Sequence, residues 1–263
     1  MNTTTLGQEQ SVEVAGLTVR YWEGGAGEPL VVVHHDIGSG GWTPFCDGLA
    51  AQFRVIVPEL PGFGKSDRPA WARHPRDIAI LLHLMLDALD IETVTLAGLG
   101  FGGWIAAEMT VMNQRRVNQL ILVNAMGIRP SEGEILDQMM IDLNDYVEAG
   151  CASPASFKRL FGDEVEREQT LVWDYAREMT ARIAWKPYMF SQQLPHLLGG
   201  IRVPTLVVWG RENRIVPLVC GEAYARALPN ATLTLIDDAG QWIDLEWPDA
   251  LAEQIKTFVE RNV

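Results

Sequence analysis

Three consecutive residues whose side chains can transfer protons, His34, His35 and Asp36, follow a continuously apolar run of the sequence. An imidazole changes its charge near neutral pH, so a histidine can act as a general acid or base. A carboxylate that is partly removed from water has a raised pKa and can do the same. We therefore predict that Asp36 and His35 transfer protons. A structural alternative stays open, in which His34 holds the loop by hydrogen bonds while His35 and Asp36 face solvent or cap the loop.

A glycine-rich turn, Gly98-Leu99-Gly100-Phe101-Gly102-Gly103, lies between a predicted strand and a predicted helix. Its outline is that of a nucleophile elbow, in which the pattern G-x-S-x-G places a serine on a sharp turn. The central residue of such a turn usually has a positive φ, which strains any residue with a Cβ. Gly100 relieves this strain and carries no nucleophile. The turn matches G-x-G-x-x-G only in part and follows the fifth predicted strand, so no dinucleotide cofactor is predicted.

The elements around these residues predict an α/β fold with a mostly parallel central sheet flanked by helices. Four short apolar runs between residues 12 and 58 indicate strands, and the continuous run 30–33 is typical of a central strand. Helix and strand patterns then alternate, which implies parallel crossovers. The later elements are a helix at 75–89, strands at 94–97, 120–124, 205–210 and 231–237, a helix near 221–227 and a final helix at 248–263.

The segment from residue 126 to residue 198 shows no convincing strand pattern. Its helical periodicities are rich in Met, Trp, Tyr and acidic residues, as in EGEILDQMMIDLNDYVEAG and QTLVWDYAREMTARIAW. We predict a helical cap inserted over the edge of the sheet. The chain then divides into a core at 1–125, a cap at 126–198 and the rest of the core at 199–263.

Four segments together resemble the α/β-hydrolase superfamily, specifically its small bacterial enzymes with a helical cap, which include carbon–carbon bond hydrolases and esterases. These segments are the loop HHDIG at 34–38, PELPGFGKSD at 58–67, the turn GLGFGGW at 98–104 and VVWGRENRIVP at 207–217. The resemblance covers nearly the whole chain and implies the α/β-hydrolase fold with a cap.

The resemblance also locates a catalytic triad, and all three positions carry unexpected residues. The serine position at the elbow is Gly100, the acid position is Asn213, and the histidine position after the last strand is Gln241. Some members take their acid from the end of the sixth strand, where this chain has Asn124. Because these side chains supply no nucleophile, base or acid, acyl-enzyme hydrolysis by a serine triad is excluded.

The family's oxyanion hole implies two further assignments. Its backbone N–H groups correspond here to Asp36 and Phe101, and the Asp36 side chain is placed to enter the pocket. Asp36 with His35 is therefore the predicted replacement for the triad. A second set of residues is predicted to line a pocket under the cap, unless these side chains are ordinary core. The set comprises His34, Trp42, Trp104, Asn124, Met139, Tyr146, Trp185, Tyr188 and Trp242.

Three function classes remain, and the first is slightly preferred. It is a cofactor-independent, non-hydrolytic enzyme, a lyase, isomerase or cyclase, that acts on a small apolar carbonyl compound, since proton transfer needs no nucleophile. The second is a ligand-binding pseudoenzyme. The third is an atypical hydrolase of an ester or carbon–carbon bond. Two ionisable side chains at His35 and Asp36 favour the enzymes over the binder.

Composition limits the partners. The chain of 263 residues has 21 Lys and Arg against 34 Asp and Glu, and its basic residues form no run, which argues against nucleic-acid binding. No apolar run is long enough to span a membrane, and the N-terminal stretch is polar. Three scattered cysteines indicate free thiols in a reducing, cytoplasmic setting, and no metal site is predicted. The expected partner is a small-molecule ligand, and a homo-oligomer is left open.

Overall fold

The computed structural model describes residues 7–262. Residues 1–6, which belong to the polar N-terminal stretch, and residue 263, the end of the predicted final helix, lie outside the described residues. Among the described helices, none combines the length and the apolar character needed to cross a membrane.

One sheet of eight strands forms the centre of the protein, in the order β1-β2-β4-β3-β5-β6-β7-β8. β2 pairs antiparallel with β1 and β4, and all other pairs are parallel. The strands are β1 Gln8–Val14, β2 Leu17–Gly24, β3 Pro29–Val33, β4 Arg54–Pro58, β5 Val94–Leu99, β6 Val117–Val123, β7 Thr205–Gly210 and β8 Ala231–Ile236. The predicted α/β architecture is confirmed, including the central place of β3.

Helices cover both faces of this sheet. They are α1 Pro44–Ala50, α2 Pro75–Ala88, α3 Phe101–Met112, α4 Leu143–Gly150, α5 Pro154–Phe161, α6 Arg167–Ala184, α7 Leu194–Leu197, α8 Leu218–Ala227, α9 Ile243–Glu246 and α10 Pro248–Arg261. The start of α2 shows how the sequence sets a boundary. The His74 side chain accepts a hydrogen bond from the Arg76 N–H, Asp77 accepts from the His74 N–H, and Pro75 occupies the first turn.

Two apolar cores result from the alternation of side chains along the strands. In β3, Val31 and Val33 belong to one core, while Leu30 and Val32 belong to the other. The first core includes the buried faces of α2 and α3, and the second includes those of α1 and α10. Burial on both faces accounts for the unbroken apolar run of β3.

Helices α4 to α7 lie between β6 and β7, with no strand in this stretch of the described chain. The prediction of helix across residues 132–141 was wrong, because these residues form bends, irregular chain and one short turn before α4. The backbone N–H groups there find partners outside a helix: Leu136 donates to the Ile215 carbonyl and Gln138 to the Tyr188 hydroxyl. Asp142 then begins α4 by accepting from the Asn144 N–H. That this segment acts as a cap stays a prediction.

Candidate functional site

The turn between β5 and α3 is centred on Gly100, whose backbone has φ 53° and ψ −112°. Its N–H donates to the Val123 carbonyl at 2.8 Å, and its carbonyl accepts from Gly103 and Met126, each at 3.0 Å. The turn is thus tied to the end of β6. The positive φ suits glycine, as the elbow pattern predicted.

The neighbouring glycines allow α3 to pack closely on the sheet. A Cβ on Gly98 would lie 2.5 Å from the Gly102 carbonyl oxygen, and a Cβ on Gly102 would lie 2.1 Å from the Val33 carbonyl oxygen. Both distances are well inside van der Waals contact. The glycine run therefore reflects steric necessity at this crossing of helix and strand.

Two side chains occupy the space in front of Gly100. A Cβ built on Gly100 would lie 2.6 Å from His35 Nδ1 and 2.7 Å from Gln241 Nε2. No ordinary side chain fits at position 100 unless one of these two moves. The nitrogen atoms of His35 and Gln241 thus converge on the point where a nucleophile's side chain would begin.

His35 forms a buried pair with Asp244, at 2.8 Å between Nε2 and Oδ1. The two residues are only 4% and 6% exposed, and the rings of His35 and Trp242 meet edge to face with centroids 4.8 Å apart. Nε2–H donates to the carboxylate, so in the neutral ring Nδ1 carries the lone pair. Among the described residues, His35 Nδ1 has no hydrogen-bond partner.

The side-chain amides of Asn213 and Gln241 form a directed chain. Asn213 Oδ1 accepts from the Ile215 and Val216 N–H groups, both at 3.0 Å, which fixes the orientation of this amide because a backbone N–H can only donate. Asn213 Nδ2 then donates to Gln241 Oε1 at 2.7 Å, and Gln241 Nε2 donates to the Asn124 carbonyl at 3.2 Å. The second hydrogen of Gln241 Nε2 remains for another acceptor. The structure thus brings Gly100, Asn213 and Gln241 together.

Asn124 holds the loop that carries Gln241. Its side-chain oxygen accepts from the Gly210 N–H at 3.0 Å, and its Nδ2 donates to the carbonyls of Gly240 and Gln241 at 2.8 and 2.9 Å. The residue is fully buried with φ 47°, a conformation that asparagine tolerates. These contacts join the ends of β6 and β7 to the loop after β8.

Asp36 is fully buried, and its carboxylate forms hydrogen bonds with residues other than His35. Its Oδ2 accepts from the Tyr146 hydroxyl at 2.7 Å and from Gln138 Nε2 at 3.1 Å, while Oδ1 has no partner among the described residues. Burial raises the pKa of Asp36 and also raises that of Tyr146. Asp36 therefore joins the loop after β3 to α4 and to the non-helical segment before it. The carboxylate that pairs with His35 is Asp244, which the sequence analysis did not select.

His34 crosslinks two loops. Its Nδ1–H donates to the His35 carbonyl at 2.6 Å, and its Nε2 accepts from the Leu60 N–H at 3.0 Å. Burial lowers the pKa of His34 to about 4, which keeps the ring neutral near pH 7. These contacts agree with the structural alternative for this residue.

A cavity of about 220 Å³ lies beside the His35–Asp244 pair. Its walls come from the loop after β3, the start of α1, the end of α5, the first half of α6 and the residues around Asp244. Of the residues predicted to form a pocket, His34 contributes to this wall.

The remaining predicted pocket residues lie elsewhere. Trp104 is core and donates to Glu108 Oε1 at 3.2 Å, while Trp42 donates to Asp47 Oδ1 at 2.6 Å. The structure corrects the prediction for Trp185, which is 62% exposed where α6 ends. Met139 and Tyr188 border two shallow surface depressions instead.

Trp242, whose ring contacts His35, and Tyr146 are both fully buried. Their ring centroids lie 6.3 Å apart, and Trp242 Nε1 donates to the Val147 carbonyl at 2.9 Å. Phe101 begins α3, so its backbone N–H belongs to the first turn, where a helix has no internal acceptor. Its use as an oxyanion donor stays a prediction, as does that of the Asp36 N–H. Among the described residues, no cluster of His, Cys, Asp and Glu is arranged to hold a metal.

Comparison with known proteins adds a family and a fold. The sequence model of the Alpha/beta hydrolase family matches residues 30–254. A 2-hydroxymuconate semialdehyde hydrolase of Pseudomonas sp. (strain CF600) is 30% identical, and the alignment covers 98% of this chain and 95% of that protein. A 2-hydroxy-6-oxononadienedioate/2-hydroxy-6-oxononatrienedioate hydrolase of Escherichia coli (strain K12) is 27% identical, with 95% and 94% covered.

Among solved structures, a meta-cleavage product hydrolase from Pseudomonas fluorescens IP01 superposes with a TM-score of 0.84 at 22% identity. The match covers 97% of this chain and 98% of that one. This likeness concerns the fold.

Proposed function

Since the chain belongs to the alpha/beta hydrolase family, we propose that it is a hydrolase that cleaves an ester or carbon–carbon bond of a small carbonyl compound without a serine nucleophile. The observation that carries this proposal is the buried His35–Asp244 pair, whose unpartnered Nδ1 lies beside the nucleophile's place at Gly100. The relatives named above are hydrolases, which favours this reading over the non-hydrolytic enzyme that the sequence analysis preferred.

In this proposal Gly100, Asn213 and Gln241 stand at the family's serine, acid and histidine positions. Gly100 offers no oxygen to attack a carbonyl, and the two amides do not accept a proton near neutral pH. The acyl-enzyme route is therefore closed. Water must attack the substrate directly, and another group must take its proton.

His35 is the group that takes this proton. Water donates to the Nδ1 lone pair and accepts from the free hydrogen of Gln241 Nε2, since both nitrogens converge on one point. As water attacks the carbonyl carbon, its proton passes to Nδ1, and Asp244 stabilises the resulting imidazolium through Nε2–H. Backbone N–H groups at the start of α3 stabilise the oxyanion. Collapse of the tetrahedral intermediate breaks the bond, and the leaving alkoxide or enolate takes the proton from Nδ1.

Asp36 has a positioning role in this scheme. Its hydrogen bonds to Tyr146 and Gln138 hold the loop that carries His35 against α4 and the non-helical segment before it. The Asp36 carboxylate is bonded to Tyr146 and Gln138, whereas the ring of His35 is bonded to Asp244. We therefore assign proton transfer to His35 and Asp244, with Asp36 as their support.

The test is hydrolysis of neutral substrates, 4-nitrophenyl acetate for ester cleavage and benzoylacetone for carbon–carbon cleavage, by the native chain and three variants. His35→Gln is expected to lower kcat/KM by about 10²- to 10⁴-fold, the usual contribution of a general base. Asp244→Asn is expected to act in the same direction, because it removes the group that holds the tautomer. His196→Gln, an exposed histidine, is the control and should keep native activity. Unchanged kcat/KM of His35→Gln on these substrates would contradict the proposal.

A second candidate is proton transfer without hydrolysis. The lack of a nucleophile at Gly100 favours it, because the same His35–Asp244 pair suffices to remove a proton next to a carbonyl. The native chain would then exchange the methyl protons of acetophenone for deuterium in D2O, measured by NMR, and His35→Gln would stop the exchange. Exchange without any hydrolysis of the two substrates above would select this candidate.

A further inference from the structure

Two aromatic rings line the cavity beside the His35–Asp244 pair. Phe161 at the end of α5 and Trp173 in α6 meet edge to face, with ring centroids 5.1 Å apart. Aliphatic side chains also line the cavity, among them Val32, Val57 and Leu99 near the carboxyl ends of three neighbouring strands. A ligand in this space is therefore enclosed mainly by carbon atoms.

The wall that the described residues form contains the imidazoles of His34 and His35 but no lysine or arginine side chain. Ser39, Thr43 and Gln169 are neutral. Its one carboxylate is Asp244, which is 6% exposed and already receives the Nε2–H of His35. A bound carboxylate would lose its water, gain no lysine or arginine partner, and face the negative charge of Asp244, which is already paired with His35.

The size of the space limits the ligand as well. A dry apolar cavity of about 150 Å³ can hold benzene, and this one measures about 220 Å³. Pockets for drug-sized ligands begin at about 300 Å³. The space therefore suits one aromatic ring, or an aliphatic group of similar bulk, with a short substituent.

We propose that this cavity is the substrate site, and that it selects a neutral, largely apolar carbonyl compound of about this size while rejecting molecules that carry a carboxylate. The proposal rests on the proposed function, because it places the carbonyl group against the ring of His35. Gln169 and Thr43 supply neutral hydrogen-bonding groups at the wall. Selectivity arises from the lack of lysine and arginine in the described wall together with the buried negative charge of Asp244.

The test compares two molecules of nearly equal shape, acetophenone and benzoate, by calorimetric titration and ligand-observed NMR on the full chain. Acetophenone is expected to bind at least about tenfold more tightly than benzoate, given the desolvation of an unpaired anion. Equal or tighter binding of benzoate would overturn the proposal, as would failure of acetophenone to bind. Binding is measured without turnover, so a chain that binds acetophenone but hydrolyses nothing contradicts only the proposed function.

Two pairs of variants locate the binding and test its cause. Phe161→Trp fills the cavity and should weaken acetophenone binding, whereas Phe157→Trp, at a neighbouring ring outside the wall, should not. Gln169→Arg adds a cation to the wall and should move the preference toward benzoate. Gln169→Met removes the amide without adding charge and should retain the preference for acetophenone. Each variant is first checked for a native unfolding transition, and equal effects within either pair would contradict the assignment.

Discussion

The imidazole of His35 fits against the bare backbone of Gly100. Its Nδ1 lies 2.6 Å from the position that a Cβ on Gly100 would take, and its Nε2 is held by Asp244. A large residue in the loop after β3 is thus matched by the smallest residue at the turn after β5. Each of these two residues limits what the other can be.

The first prediction concerns the cost of any side chain at this turn. Gly100→Ala should destabilise the protein by about 1–3 kcal/mol more than Gly16→Ala, the typical cost of overpacking. Gly16 also has a positive φ, but a Cβ there would meet nothing within 4 Å, so it reports the backbone strain alone. Urea unfolding of both variants measures the difference. Equal destabilisation would show that His35 and Gln241 do not restrict position 100.

The second prediction follows from the same contact and uses a double-mutant cycle. His35→Ala removes the ring that would clash, so Gly100→Ala should cost less in that background than in the native one. A coupling of about 0.5–3 kcal/mol is expected for residues in direct contact. The pair His35→Ala and Gly16→Ala is the control and should be additive. Additivity in both cycles would contradict the fit of His35 against Gly100.

The sequence predicted much of the fold because its strongest signals are local. The apolar run of β3 and the glycines of the elbow follow from burial and close packing, and both are found where they were predicted. Helix α1 went unpredicted since its seven residues are too few to show a helical period. Residues 132–141 show a helical pattern in the sequence, yet two of their backbone N–H groups donate to acceptors outside a helix. Leu136 donates to the Ile215 carbonyl, and Gln138 donates to the Tyr188 hydroxyl.

The candidate site was predictable only where a turn or a strand end fixes a position. Gly100, Asn213 and Gln241 each follow a strand, and parallel strands bring their ends to one edge of the sheet. The pairing of His35 with Asp244 joins residues 209 positions apart, and that of Asp36 with Tyr146 joins residues 110 apart. No local pattern marks such pairs. A usable signal for Asp244 was its place three residues after Gln241, in the short helix α9 that follows the same loop.

The third prediction uses the buried His34. Because burial lowers its pKa from 6.5 to about 4 in the folded protein, the unfolded chain binds the proton first as the pH falls. Its contribution to stability is therefore present above pH 6.5 and lost as the pH falls toward 4, by up to about 3 kcal/mol. In His34→Gln this loss should disappear when unfolding is measured across that range. The exposed control His196→Gln should keep the native pH dependence, and a native slope in His34→Gln would contradict the prediction.

The fourth prediction separates the two roles considered for Asp36. Burial raises its pKa above the ordinary value of 3.8, so the folded protein holds this proton more tightly than the unfolded chain. The stability contributed by the protonated group is full below pH 3.8 and is lost as the pH rises through the folded-state pKa.

The variant Asp36→Asn keeps a carbonyl oxygen to accept hydrogen bonds from Tyr146 and Gln138, but it cannot ionise. Its stability relative to the native chain should therefore increase as the pH rises from about 3, whereas Glu212→Gln, at an exposed position, should show no such trend. Kinetics on the same variant complete the test: if Asp36 positions the loop, kcat/KM for 4-nitrophenyl acetate should stay near native, while His35→Gln lowers it by about 10²- to 10⁴-fold. A loss in Asp36→Asn as large as that in His35→Gln would instead return the catalytic role to Asp36.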